Sequence, residues 1–541
     1  MEDYMAQKAE IAKYTQYSFP AMPPARAPGG TAPLAATPTF SWEGLQDTGY
    51  QRPTPDLAAG PNDVLMVVNS SIGQFSKSGT LKKVTLLADW FSDMLPSICP
   101  TTCQLYDPWV AYDQLHGHFL VITSASPLPP RPYSFLLLSV SNGPTYDGGW
   151  KNWRLNTSMD GSVQTTNFGD SWRLGFDNVA VYLSGNMYRE SLGFQYAKIQ
   201  VIKKSELYNP ATTTLNYQEI GSAANKLRNA DGTLADSLMP IHLRGRPGDV
   251  GVGLFVNAAY LTVLPATYLT VWKIDNPLAS PVTATRSTVT GLMSYTVPAP
   301  APQLGSNSTL DTSDTRLLKA VYRNGFLYTA RDTGYPDQAI TVTTDVIDVS
   351  TMKLSSQSRI LNANAFYPAF DVPATVPQGA QFATGNLITG TTTSPAGTLT
   401  YPGLSNNLKA GVDYYQVTSS GISAWGDYFG GAVDPLSGGL WVSGAFAKQS
   451  QVSFGHWGTW AAYYPWFTAQ AFNDVPGTSP FFDYINVLSS WQITTGCSSA
   501  PPQFCPTDLV TREQLSTLII RSMLGDNFTY TTAPYYTDVP A

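Results

Sequence analysis

Four aspartates at turn positions, Asp170, Asp177, Asp427 and Asp434, are the residues of this chain best placed for acid–base chemistry. Each stands where a strand-like run meets a turn, so folding could bring them to one rim. Two carboxylates facing each other across a cleft can protonate a glycosidic oxygen and activate a water or attack the sugar. Turn formation accounts for the same positions without any chemistry, because Asp bonds backbone N–H groups two residues on. Clustered Asp would also suit Ca²⁺, although no stretch has the EF-hand spacing. His116 and His118 share one face of an extended segment, a spacing at which two imidazoles can hold a metal. No third ligand stands beside them, and an exposed turn pair is the simpler reading. No Gly-x-Ser-x-Gly elbow marks a nucleophilic serine. On these residues no catalytic set, metal site or cofactor is assigned, with Ca²⁺ left open.

The four cysteines fall into two local pairs, Cys99 with Cys103 (CPTTC) and Cys497 with Cys505 (CSSAPPQFC). Neither pair has the neighbouring His or Cys that a zinc site needs. Two short-loop disulfides are therefore expected, and they imply an oxidising, extracellular location. Asn69, Asn156, Asn307 and Asn527 open Asn-x-Ser/Thr sequons, which matter only where the host glycosylates them.

The elements that must position these residues are short. Of the 541 residues, 43% are hydrophobic and 12% aromatic, and the 13% charged share is about half the usual one. With 44 Gly and 41 Pro, this composition suits brief strands joined by tight turns. The net charge of −7 is spread thinly, with no cationic run. That argues against nucleic acid as a partner. No apolar run approaches the roughly 18–20 residues that span a bilayer.

Residues 1–38 hold no apolar segment of the kind found in secretory signals, so the chain is read as processed or exported by another route. Positions 2–17 suit a short helix, and 20–38 form a Pro/Ala-rich arm that is either a flexible leader or an extended docking segment. From 39 to 466 the pattern is strand, turn, strand, as at 64–69 (VLMVVN), 118–124 (HFLVITS), 178–184 (NVAVYLS) and 439–444 (GLWVSG). A weak repeat joins a small-apolar strand, a turn and a second apolar strand. It begins at Asp56, Asp107, Ser171, Met239, Arg316 and Tyr428. Units some 50–70 residues apart, each a small antiparallel sheet, predict an all-β fold, a β-propeller of six or seven blades.

Segments 467–541 change grammar. Positions 479–490 read as a helix opened by Pro480, with Phe481, Tyr484, Ile485 and Leu488 on one face. Thr511 and Gln514 form a capping box before a second helix, whose stripe is Leu515, Leu518, Ile519 and Met523, closed by Gly525.

Two resemblances follow. GDSWRLGFDNVAVYLSGNMY at Gly169, AWGDYFGGAVDPLSGGLWVSGAF at Ala424 and WGTWAAYY at Trp457 resemble bacterial secreted β-propeller proteins of sialidase-like shape, over roughly 50–464. The Asp-box of true sialidases is not present in clear form. FNDVP at Phe472, the turn at 492–496 and TREQ at Thr511 resemble one S-layer-homology repeat, a small α-helical module. A second repeat begins at Tyr536 (YTDVP). That resemblance implies glycan contacts at Asp474, Trp491, Thr511 and Arg512; caps and a solvated Arg are the plainer account of three of them.

The expected function is non-enzymatic: an extracellular or cell-surface subunit that packs against copies of itself in a layer, sheath or filament. The alternative is a wall-anchored propeller that binds or hydrolyses glycans, with cell-wall or surface polysaccharide as partner. A protein-binding adhesin is a third reading.

Overall fold

The computed structural model of the chain describes residues 38–524, less 39, 48, 100–101, 130, 245–252, 304–305, 324, 336–337, 361–364, 372–382, 386, 392–393, 401–406, 410, 413, 418–420, 450–455, 465–470, 477–478, 480 and 491–492. The helix expected at 2–17, the Pro/Ala arm and the repeat start at Tyr536 lie outside the described residues. So do Pro480, Trp491, Gly525 and Asn527.

The chain forms largely antiparallel sheets in sequence order. The first runs Asp56–Ala59, Asp63–Val68, Ser71–Ser76, Leu81–Leu86, and the second Cys103–Asp113, His118–Pro127, Phe135–Ser141, Trp150–Asn156. Met239–Pro240 opens a further four-stranded sheet, and Phe168–Phe176 and Leu317–Arg323 each open a four-stranded antiparallel run, the two runs being bridged by parallel pairing to His242–Leu243. Ala369–Asp371 then pairs with Ala383–Gly385. The last sheet runs Gly431–Val433, Leu440–Gln449, His456–Tyr464. Its outer strand is Phe40–Gln46 from the opposite end of the chain, with Phe40 opposite Tyr463 and Glu43 opposite Trp460. Each first strand touches the first strand of the next sheet, and Gly431–Val433 touches Asp56–Ala59. The contacts therefore close into a ring around an axis, which is a β-propeller.

The residues explain this order. First strands such as DLAA are buried on both faces, and their small side chains let neighbouring backbones crowd the axis. Gly430 sits at the seam, where a Cβ would lie 2.4 Å from Leu57 N and 2.7 Å from Asp56 Oδ1. The sheets diverge outward, and large side chains fill the wedges between them. Trp172, Trp425, Trp441 and Trp457 are wholly buried in this way.

Both expected disulfides are present. Cys99–Cys103 lies at the entry to the second sheet, and Cys497–Cys505 lies in the C-terminal segment. That segment has a small core of Phe472, Val475 and Ile485. Asp474 accepts from the Phe504 and Cys505 N–H groups at 2.8 and 2.7 Å and so clamps its loop. The helix Phe482–Ser490 starts three residues later than expected, and Phe481 is 63% exposed rather than packed. The capping box forms as read: Thr511 N donates to Gln514 Oε1 at 2.9 Å, and Gln514 N to Thr511 Oγ1 at 3.1 Å. The stripe on the helix Arg512–Leu524 needs correction, because Leu515 and Ile519 remain about half exposed. Thr511→Ala is expected to cost that helix about 1 kcal/mol, read as roughly fivefold faster amide exchange over 512–524.

Candidate functional site

At one mouth of the central channel the backbone repeats an unusual step. Asp107, Ser171, Ser237, Ser313 and Tyr367 stand at or just before successive first strands with φ of 51°, 52°, 50°, 61° and 53°, and Gly426 holds 61°. Left-handed backbone is uncommon for residues with a Cβ and costs on the order of 1 kcal/mol or more. Pairing slips beside two of these residues, between Tyr106 and Trp109 and between Asp170 and Arg173. Such bulges bend a strand and re-aim its side chains. Here they carry acids: Asp107 itself, Asp170, Asp236, Asp314 and Asp427 directly adjoin the left-handed residues, and Asp311 lies two before Ser313.

Three guanidinium groups interleave with them. Arg52 donates to Asp427 at 3.1 Å and lies 4.0 Å from Asp311. Arg316 forks onto Asp314 at 2.8 and 2.6 Å. Arg173 is 5% exposed and donates to Ser171 O, while its Nε has no hydrogen-bond partner among the described residues. Burial and the charge of Arg316 pull it down to about 10.

These surroundings divide the acids. Burial, then the charges of Asp170 and Asp427, push Asp107 up to about 8. Burial and Asp314 push Asp236 up to about 7. Asp427 is also raised by burial, against the pull of Arg52. A recessed carboxyl that keeps its proton near neutral pH can donate it to a leaving oxygen, while a second carboxylate nearby acts as base, nucleophile or charge stabiliser. Asp107 fits the first role and Asp170, whose charge bears on it most, the second.

Below the mouth the channel is filled by ion pairs. Arg244 forks onto Asp371 at 3.1 and 2.7 Å and donates to Gln114 at 2.8 Å. Lys319 faces both Asp56 and Asp371, and burial lowers it. Neutral His242, lowered by burial, meets Leu174 O at 2.9 Å. At the far end Asp113 is buried, yet hydrogen bonds from His116, Lys204 and Tyr208 bring it down to about 2. A ligand at the Asp107 mouth would therefore stay there.

Of the four aspartates singled out in the sequence, the structure unites Asp170 and Asp427 only. Asp177 accepts from Val179 N, Ala180 N and the Tyr182 hydroxyl, as a turn residue does. Asp434 pairs with Lys77 and Trp441 Nε1. Asp107, Asp236, Asp314 and the three arginines were missed. For Asp236 and Asp314 the signal was the Asp–Ser or Ser–Asp step at 236–237 and 313–314, which 170–171 repeats. His116 and His118 do not converge on a metal: one meets Asp113, the other Ser141 O, and both flank the Tyr208 ring. Among the described residues no cluster of acids, His or Cys has metal-binding geometry.

Among the sequons, Asn69 is 8% exposed and accepts from the Thr54 hydroxyl, so burial disfavours a glycan on it. Asn156 is half-buried and Asn307 exposed. Of the implied glycan contacts, Asp474 serves its loop and Thr511 its helix, while Arg512 is exposed.

No protein-family model and no curated protein matches the chain. Solved structures overlap it weakly. Trypanosoma rangeli sialidase in complex with sialic acid covers 79% of this chain and 59% of its own, at 9% identity and a TM-score of 0.37. An exo-1,5-α-L-arabinanase from a bovine ruminal metagenomic library covers 57% and 97%, at 11% identity and 0.26. A chain of the mitotic checkpoint complex covers 82% and 99%, at 10% identity and 0.36. Overlap this slight carries no argument about function, and the propeller stands on its strand order. No helix among the described residues is long and apolar enough to cross a membrane.

Proposed function

We propose that this chain is an extracellular, seven-bladed propeller that hydrolyses glycans at the Asp107 mouth. The reading replaces a purely structural role with the alternative weighed beside it. The blade count rests on the ring of first strands, from Asp56–Ala59 through Ala369–Asp371 to Gly431–Val433. The observation that carries the function is the gathering of Asp107, Asp170 and Asp427 at one mouth on left-handed, bulged backbone, where burial and the two neighbouring carboxylates push Asp107 up to about 8. In this scheme Asp107 gives its proton to the glycosidic oxygen, and Asp170 activates water or attacks the sugar. The disulfides support an oxidising location.

The test is release of reducing ends from a panel of polysaccharides and aryl glycosides between pH 5 and 9. Turnover is expected below about pH 7, falling as pH rises through about 8, because Asp107 then loses the proton it must donate. A folded chain that releases nothing at any pH sinks the hydrolytic reading.

The C-terminal segment is proposed as a single S-layer-homology repeat, with Asp474, Trp491, Thr511 and Arg512 as its glycan contacts. Loss of wall-polysaccharide binding on Arg512→Ala is the outcome that supports it.

Self-association is the second reading, favoured by one observation. The edge strand Leu81–Leu86 leaves Leu81, Val84 and Leu86 about half exposed beside Lys82 and Lys83, an uncovered edge at which another strand could add. A chain that stays monomeric by light scattering at high concentration, with and without Ca²⁺, removes it.

A further inference from the structure

An aromatic lane leaves the mouth at the second sheet, crosses the third and reaches the fourth. Its inner end is Tyr106, close enough to Asp107 and Asp170 to feel both charges. Arg131 lies over the rings of Tyr106 and Phe168, at 5.6 and 5.2 Å from their centroids. Phe168 stacks on Tyr188 at 6.0 Å, Tyr188 meets Phe194 edge-on at 5.8 Å, and Phe194 stacks on Tyr260 of the next sheet at 6.2 Å. Tyr188 is the direct cross-strand partner of both Phe168 and Phe194 at the mouth end of the sheet that begins with Phe168–Phe176.

Cross-strand pairing by itself explains rings that pack inward. Phe168 is of that kind, 6% exposed. Tyr188, Phe194 and Tyr260 are different, because each keeps part of its surface open. The lane is also continuous with the acids: Tyr188 lies near Asp170 and Asp236, and Tyr260 near Asp236. Ring faces beside hydroxyls and carboxyls match the two sides of a sugar, whose C–H faces are apolar and whose edge bears hydroxyls.

We propose that this lane binds a linear carbohydrate chain, with one linkage at Asp107 and further sugars over Tyr188, Phe194 and Tyr260. The inference rests on the glycan reading of the mouth and narrows it: the substrate is a chain of several sugars, not a single terminal residue. Tyr188, Phe194 and Tyr260 are positioning residues, and they add affinity with each sugar engaged.

The probe is a printed array of mono- to hexasaccharides of glucose, xylose, arabinose, mannose and N-acetylglucosamine. The full chain is applied as Asp107→Asn, so that binding is read without turnover. In at least one series the signal is expected to rise about tenfold from disaccharide to hexasaccharide, the size of one or two stacked rings. Phe194→Ala and Tyr260→Ala should each remove most of that gain and leave the disaccharide signal unchanged. Phe194→Tyr and Tyr260→Phe, which keep the ring, should restore it. Binding that is absent, independent of length, or unchanged in the alanine variants overturns the lane. The length series needs no lane variant, so a misfolded one leaves the test intact. Reducing-end release by the parent chain is scored separately, which tells failure of the lane from failure of the hydrolytic reading.

Discussion

Asp107→Asn is expected to lower glycan hydrolysis by about 10²–10⁴-fold while making the folded chain more stable above neutral pH. Both effects come from one displaced proton. In an unfolded chain an Asp carboxyl ionises near 3.9; here burial and the charges of Asp170 and Asp427 hold the proton until about pH 8. Between those values the folded state binds the extra proton. Its contribution to stability is therefore complete below about pH 4 and is lost as pH rises through 8. Asn cannot ionise and keeps nearly the same shape, so the variant escapes that loss. At pH 8–9 it should gain on the order of 1–2 kcal/mol, the usual size of such a release at a functional site. Denaturant midpoints of parent and variant at pH 5 and pH 9 check this. If the two differ equally at both pH values, Asp107 does not hold its proton as described. The strained backbone at this position tells the same story, since such costs persist where a site requires them.

Arg244→Ala is expected to have the largest effect on stability, a loss of about 3–5 kcal/mol. The guanidinium crosses the channel. It holds Asp371 through Nε and Nη2, and Gln114 through Nη1. Asp371 also accepts from Val433 N, so one side chain links elements from four sheets. Removing it takes the bonded guanidinium from a fully buried carboxylate, with Lys319 still nearby. Equilibrium unfolding in guanidinium chloride should show a lower midpoint at unchanged slope. Arg244→Met, which keeps the volume without the charge, should fare no better unless Asp371→Leu accompanies it. The double variant recovering much of the loss would separate the uncompensated charge from lost packing.

Much of the scaffold was legible because its grammar is local. The units read at Asp56, Asp107, Ser171, Met239, Arg316 and Tyr428 fall in or just before the opening strands of the successive blades, each an apolar run followed by a turn. The unit at Ala369–Asp371 escaped notice, because a three-residue strand set between Pro368 and Pro373 leaves no periodicity. The strand Phe40–Gln46 was equally opaque in its partner, since no neighbouring residue indicates Tyr463. The site was legible only in part. Asp170 and Asp427 stood out as turn acids, but what distinguishes them from Asp177 and Asp434 is convergence across the ring. Asp107 looked like the start of a repeat, and only its burial at the mouth, with Asp170 and Asp427 approaching from other sheets, holds its proton. In the C-terminal helix the capping box was readable from two side chains, whereas the fate of Leu515 depended on a partner surface no local pattern describes.

The strand Phe40–Gln46 also sets a clock. It cannot take its place until His456–Tyr464 exists, about 420 residues later in the chain. At roughly 5–20 residues per second, a nascent chain waits about 20–80 s with that segment unpaired. Any factor that guards the emerging chain must shield Phe40 and Trp42 for that interval. The last sheet becomes the final piece to lock, whatever order the others fold in.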